Sequence, residues 1–170
     1  MTLEEYQQFV LSKAAPPRDL PASYFHLVHV SFGLGTEYLE LIMSSTRENT
    51  DEELGDFLWY LMLTTYAINY DIATLPRSMP LKDSKPLTIK QLADRLENFL
   101  SVCKKQVIYN NPQDAVMHKA FYELWVEYIF HLQSCNFPLQ LCISANINKL
   151  NERYQSSFSQ EEAAARKDKQ

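Results

Sequence analysis

Apolar residues recur every three to four positions in six stretches separated by breaks rich in proline, asparagine or serine. That is the period of helices that each bury one face. The first stretch runs from Thr2 to Lys13, with Leu3, Tyr6, Phe9 and Val10 inward. Three prolines between Ala14 and Pro21 end it, since no helix tolerates them throughout. A long helix then starts at Ala22 and carries Phe25, Leu27, Val28, Val30, Phe32 and Leu34 toward an end near Ser45. A third is predicted from about Asp51 to Ile72.

Leu75 to Leu87 again holds three prolines and no period, so it is a loop. Leu87 to Tyr109 predicts a helix with Ile89, Leu92, Leu96, Phe99, Leu100 and Val107 as its stripe, broken by Asn110-Asn111-Pro112. Gln113 to Ser134 follows, with Phe121, Leu124, Trp125, Tyr128, Ile129 and Leu132 inward. Asn136-Phe137-Pro138 is a turn, and the last core helix ends at Tyr154. Residues 155–170 form a polar tail in which EEAAARKDK predicts a fraying helix. No strand pattern and no repeat interrupts this series, so the expected architecture is an all-α bundle with one domain over 1–154.

The third helix is apolar almost all round: Leu54, Phe57, Leu58, Trp59, Leu61, Met62 and Leu63. A helix without a polar face belongs at the centre of a bundle or at a subunit interface. Glu53 and Asp56 at its start are therefore anomalous, because charges in such places are usually paired or ligated. Favourable interaction with a helix N-terminus is the plainer explanation for them. A matching pair, Glu37 and Glu40, lies in the helix before. Residues three apart share a helix face, so each pair projects its carboxylates together.

Between the pairs, SSTRENT breaks the chain, and Thr50-Asp51-Glu52-Glu53 has the form of a capping box that starts the third helix. With the ends there, Glu37 and Glu40 lie roughly 7–12 Å, and Glu53 and Asp56 roughly 4–9 Å, from the connection at 1.5 Å per residue. Four carboxylates then face one another across an antiparallel helix pair. Such a cluster repels itself unless a cation holds it, and hard oxygen donors suit Mg²⁺ or Mn²⁺. Glu52 projects about 100° away from Glu53 and is either exposed or an assisting base. The chain has only three glycines, Gly33, Gly35 and Gly55, all beside these acids. Each costs a helix about 1 kcal/mol relative to alanine, so a close approach of backbone or ligand is expected there.

Net charge changes the picture only by exclusion. It is −5 with no basic stripe, which argues against nucleic acid as the partner. Cys103, Cys135 and Cys142 are odd in number and lack metal-ligand spacing, so they read as small buried hydrophobes in a reducing compartment. The N-terminus shows no signal pattern and no apolar run approaches a membrane span, from which a cytoplasmic protein without a membrane partner is expected.

Glu37-x-x-Glu40, twelve intervening residues, then Glu53-Leu54-Gly55-Asp56 followed by Phe-Leu-Trp-Tyr resembles the all-α nucleoside triphosphate pyrophosphohydrolases of the MazG type. Their pattern is E-E-x-x-E, a spacer, then E-x-x-D. Within them the phage MazG-like proteins, including the MazZ subgroup, are the nearest resemblance. It extends to His29 and Gly35 ahead of the first pair, to Asn146, Lys149, Leu150, Arg153 and Tyr154, and to Phe158, Ser159 and Glu161. Residues 73 to 135 are not covered. Thr36 stands where many members have the first Glu of the doublet, which leaves the number of metal ions open.

The resemblance implies a MazG-like bundle completed by oligomerisation as a homodimer or homotetramer, in the host cytoplasm if phage-encoded. It implies Mg²⁺-dependent cleavage of (d)NTP to (d)NMP and pyrophosphate. Glu37, Glu40, Glu53 and Asp56 would be the metal ligands and catalytic carboxylates, with Lys149 stabilising the leaving pyrophosphate. Asn146, Lys149, Arg153 and His29 would contact substrate. The roles attached to such proteins are nucleotide house-cleaning or supply, including a dGTP- or dATP-directed step toward 2-aminoadenine DNA.

Other candidates read more plainly. His26 and His29 fit helix packing as well as a nucleotide contact, and Trp59, Tyr60 and Trp125 sit at core spacing. A di-iron carboxylate bundle would need Glu-x-x-His pairs, and none of the histidines follows a Glu by three. A non-enzymatic helical interaction protein, its acids forming a solvated face, is the remaining alternative.

Overall fold

The computed structural model describes residues 1–17, 21–80, 89–154 and 158–165, and all regular structure among them is helical. The elements are α1 (Leu3–Lys13), α2 (Ala22–Met43), α3 (Arg47–Ala67), a 3₁₀ turn (Ile72–Thr74), α4 (Ile89–Tyr109), α5 (Asp114–Ser134), α6 (Leu139–Arg153) and α7 (Gln160–Ala165). The expected all-α fold is present. The loop residues 81–88, the segment 155–157 and the chain from Arg166 onward lie outside the described residues.

Local chemistry sets the ends. Thr2 and Glu5 form a reciprocal capping box for α1: Thr2 Oγ1 accepts from Glu5 N at 3.1 Å, and Thr2 N donates to Glu5 Oε2 at 2.7 Å. Asparagine closes three helices, with Asn69, Asn110 and Asn136 at φ of 51°, 48° and 52° just past α3, α4 and α5. Asparagine is among the few non-glycine residues that adopt this left-handed conformation readily. Asn69 therefore stops α3 at Ala67, and Ile72, predicted inside that helix, belongs to the 3₁₀ turn instead.

The start of α3 also differs from the sequence reading. Thr46, not Thr50, is the N-cap: its hydroxyl accepts from Asn49 N at 3.2 Å. Thr50 lies inside the helix, where its hydroxyl bonds back to Thr46 O at 2.9 Å and meets Ser44 Oγ at 2.9 Å. An Arg47–Asp51 ion pair, 2.8 Å and one turn apart, supports the added turn. Only residues 44–46 connect α2 to α3, which pack as antiparallel neighbours. Counting outward from this connection places Glu37 opposite Glu53 and sends Asp56 about one turn deeper, level with Leu34.

α3 is the centre. Leu54, Phe57, Leu58, Trp59, Leu61, Met62 and Leu63 are all buried, among α2, α6 and α1. Tyr128 of α5 reaches it as well, donating to Leu54 O at 2.8 Å and stacking on Phe57 at 5.6 Å. One chain thus wraps this helix on all sides. α4 packs on α2 and α5. The described part of the proline-rich loop is tied down: Trp125 Nε1 donates to Pro76 O at 2.8 Å, and the Gln133 amide pairs with Met79 N and O at 3.0 and 3.1 Å.

One expected core position fails. Phe32 is 73 % exposed. The buried face of α2 runs through Leu27, Val30, Leu34 and Leu41, and Phe32 lies about 200° around the helix from both Val30 and Leu34. Among the described residues no helix is long and apolar enough to cross a membrane.

Candidate metal centre and adjoining cavity

The short α2–α3 connection brings three of the four acids together. Glu37, Glu40 and Glu53 each place a carboxylate oxygen within 4.8 Å of the other two. Glu40 is exposed, Glu37 half-buried and Glu53 buried. Burial pushes the Glu37 carboxyl up to about 8, and the negative charges of Asp56, Glu40 and Glu53 add to that, against Lys149. Glu53 is pushed up to about 7 for the same reasons, burial first and then Asp56 and Glu40. Burial and crowding together favour the protonated forms of Glu37 and Glu53 unless a cation meets them.

One observation tests whether a cation fits. Glu53 Oε2 is buried with no hydrogen-bond partner. A buried carboxylate oxygen without a donor is costly unless something else meets it. Three converging carboxylates, one of them carrying an orphaned oxygen, form a set of hard donors suited to Mg²⁺ or Mn²⁺. The residues fit the ion.

Asp56, the fourth acid, stands apart from the trio because of its deeper register. Its Oδ1 accepts from Asn146 Nδ2 at 3.1 Å and its Oδ2 from Lys149 Nζ. Lys149 also donates to Glu52 Oε1 at 2.6 Å, which gives Glu52 a definite partner. Burial pushes the Asp56 carboxyl up, with Lys149 acting against it. Burial opposes the Lys149 charge too, yet Asp56 and Glu52 hold its ammonium above the usual lysine value. Behind Asn146 stands Tyr6 of α1, whose hydroxyl donates to Asn146 Oδ1 at 2.7 Å.

Glu37 and Asp56 also face a cavity of about 150 Å³. His29, Trp59, Tyr60, Tyr154 and Phe158 give it aromatic walls, and Lys13 and Arg153 supply cations. Lys13 donates to Tyr154 O at 3.3 Å. His29 meets Trp59 and Tyr60 edge-on at 6.0 and 5.6 Å. Burial, and then His26, hold its imidazole below the usual histidine value, which favours its neutral form. Its Nδ1 and the Trp59 Nε1 are buried without partners. Gly33 is required here, because a Cβ on it would meet Tyr60 Cε1 at 2.0 Å. Gly55 lets Asn146 come close, at 3.4 Å from such a Cβ, whereas Gly35 faces open space.

Comparison of the chain with family models, curated proteins and solved structures returns no match.

The sequence-derived residues therefore divide into three groups. Glu37, Glu40 and Glu53 form the trio. Asp56, Asn146 and Lys149 form a hydrogen-bonded set beside it, and His29 and Arg153 line the cavity. Trp125 is far from this role, bonded to the loop at Pro76. The sequence reading did not single out Tyr6 or Lys13 for function. Tyr6 lay in an apolar stripe, and the one signal was that a buried tyrosine hydroxyl needs a partner.

Proposed function

We propose that the protein is a Mg²⁺-dependent nucleoside triphosphate pyrophosphohydrolase. Water adds to the α-phosphorus, the bond to the α–β bridging oxygen breaks, and a monophosphate and pyrophosphate leave. The observation that carries this reading is the convergence of Glu37, Glu40 and Glu53, with Glu53 Oε2 unpartnered, and the sharing of Glu37 between this trio and a cavity walled by aromatic rings and cations. The motif resemblance of the chain points the same way.

A divalent cation held by the trio would supply neutralisation of triphosphate charge and acidity to a water molecule. The rest falls to the chain's own side chains. Glu37 belongs to both trio and cavity; with a cation at the trio keeping it ionised, its carboxylate would be the one to take a proton from the attacking water. Arg153 and Lys13 face the cavity where phosphate oxygens would lie. Lys149 orients Asp56 rather than meeting phosphate directly. The aromatic walls offer a base a surface to stack on. A further copy of the chain would cover the exposed apolar face of α2, where Phe32, Leu39 and Met43 are 73 %, 54 % and 78 % exposed.

The test is incubation with each dNTP and NTP plus Mg²⁺, resolving nucleotide products and reading pyrophosphate separately from phosphate. Monophosphate with pyrophosphate is expected, and dGTP selectivity would favour the 2-aminoadenine role over general house-cleaning. Diphosphate with phosphate would overturn α–β cleavage. No turnover with Mg²⁺ or Mn²⁺ would favour an interaction protein. Glu37→Gln should lower turnover by about 100-fold or more with unchanged helicity by circular dichroism.

A further inference from the structure

We propose that Tyr6 is a positioning residue for this site: its hydroxyl fixes the Asn146 amide, and through that amide the Asp56 carboxylate. The inference rests on the metal-dependent reading above. An ionised carboxylate only accepts hydrogen bonds, so Asn146 must present Nδ2 to Asp56 Oδ1, 3.1 Å away. Turned over, the amide would set oxygen against oxygen. With Nδ2 committed, Oδ1 needs a donor in a place that is 98 % buried, and Tyr6 supplies it at 2.7 Å. The protonated phenol is the form that donates, and burial holds it so by pushing the Tyr6 pKa well above its ordinary value.

The chain of contacts crosses three helices, from Tyr6 on α1 through Asn146 on α6 to Asp56 on α3. Phenylalanine at position 6 would keep the fully buried ring and its packing but leave Asn146 Oδ1 without a donor. The amide is then held at one end and free to turn. Asp56 keeps Lys149, yet Lys149 is shared with Glu52 at 2.6 Å. Asp56 then depends on an amide whose orientation nothing but Asp56 itself fixes. Asp56 lies outside the trio, yet after burial its charge is the largest influence on Glu37 and Glu53, so what fixes Asp56 acts on the ligands from directly behind them. Groups in that position commonly matter about 10- to 100-fold in metal affinity or activity.

The experiment compares wild type, Tyr6→Phe, Asn146→Ala and the double variant. Mn²⁺ binding is read by calorimetry without nucleotide, and kcat and KM are read in Mg²⁺. Tyr6→Phe is expected to weaken Mn²⁺ binding about 10-fold or more and to lower kcat more than it raises KM. The double variant should bind no more weakly than Asn146→Ala, because both changes break one relay. Tyr128→Phe removes an equally buried hydroxyl, bonded to Leu54 O, and should leave Mn²⁺ affinity unchanged.

Wild-type affinity in Tyr6→Phe, additive losses in the double variant, or an equal loss in Tyr128→Phe would each overturn the proposal. If Asn146→Ala fails to fold, the comparison of the two tyrosine variants decides alone. A wild type that binds Mn²⁺ but cleaves no nucleotide removes the hydrolase reading and still leaves the Tyr6 comparison decisive in affinity. A wild type that binds no ion overturns both.

Discussion

Glu37 and Glu53 make stability a function of pH in a direction opposite to that of most carboxylates. Their pKa values in the fold, about 8 and about 7, lie above the ordinary 4.5. At these two groups the folded chain holds more protons than the unfolded chain between these limits, and their share of the stability falls as pH rises. His26, His29 and His131, which burial lowers, act the other way only around and below the usual histidine value. The contribution of Glu37 and Glu53 is fully present below about 4.5 and is lost as pH climbs through about 8. Metal-free protein should melt at a lower temperature at pH 8.5 than at pH 7, a window above the histidine range in which Glu37 and Glu53 still lose protons. Mg²⁺ should restore the difference, most strongly at the alkaline end, and Glu37→Gln should flatten the profile. Scanning calorimetry in chelator and in Mg²⁺ checks this. A melting temperature that rises steadily over that range without metal would show that the acids do not crowd one another.

At the scale of elements, α2 carries two glycines with opposite predictions. Gly33→Ala drives a methyl group into the Tyr60 ring, which His29 and Trp59 confine. It should destabilise by about 1–3 kcal/mol, as overpacking does, and displace a wall of the cavity. Gly35→Ala meets nothing within 4 Å and should stabilise the chain by up to about 1 kcal/mol through helix propensity. Urea unfolding of the two variants measures both. The reading of the helices from the sequence succeeded where period and asparagine breaks agreed, as at the ends of α4 and α5. It placed the α3 start one turn late because Thr46 and Thr50 both look like caps, and only the shortness of the connection decides between them. That turn is also why Asp56 left the trio: four matched carboxylates on paper became three, with the fourth one turn deeper. Phe32 was misplaced because a run of apolar residues on α2 hides which side has neighbours. The relay from Tyr6 to Asp56 joins positions 140 and 90 residues apart in sequence, and no local pattern records such a pair.

For the whole molecule, the described residues surround the middle of α3 and leave an apolar stripe of α2 exposed. Phe32, Leu39 and Met43 recur at seven- and four-residue steps along α2, a stripe that self-association would bury. Sedimentation should find a dimer or larger species for the wild type and a shift toward monomer for Phe32→Glu. A wild-type monomer at high concentration would remove the homo-oligomer from the proposed function.

The long reach of α1 has a consequence in time. Tyr6 emerges during synthesis well before its acceptor Asn146, and Lys13 well before Tyr154, with 140 and 141 positions between the partners. Contacts this distant form late, since loop closure must precede them. α2, α3 and the carboxylate trio can assemble from neighbouring sequence while α6 is still being made. The Asp56 relay is then the last part of the site to close, so a nascent chain exposes an acidic cluster before it has the geometry to use one.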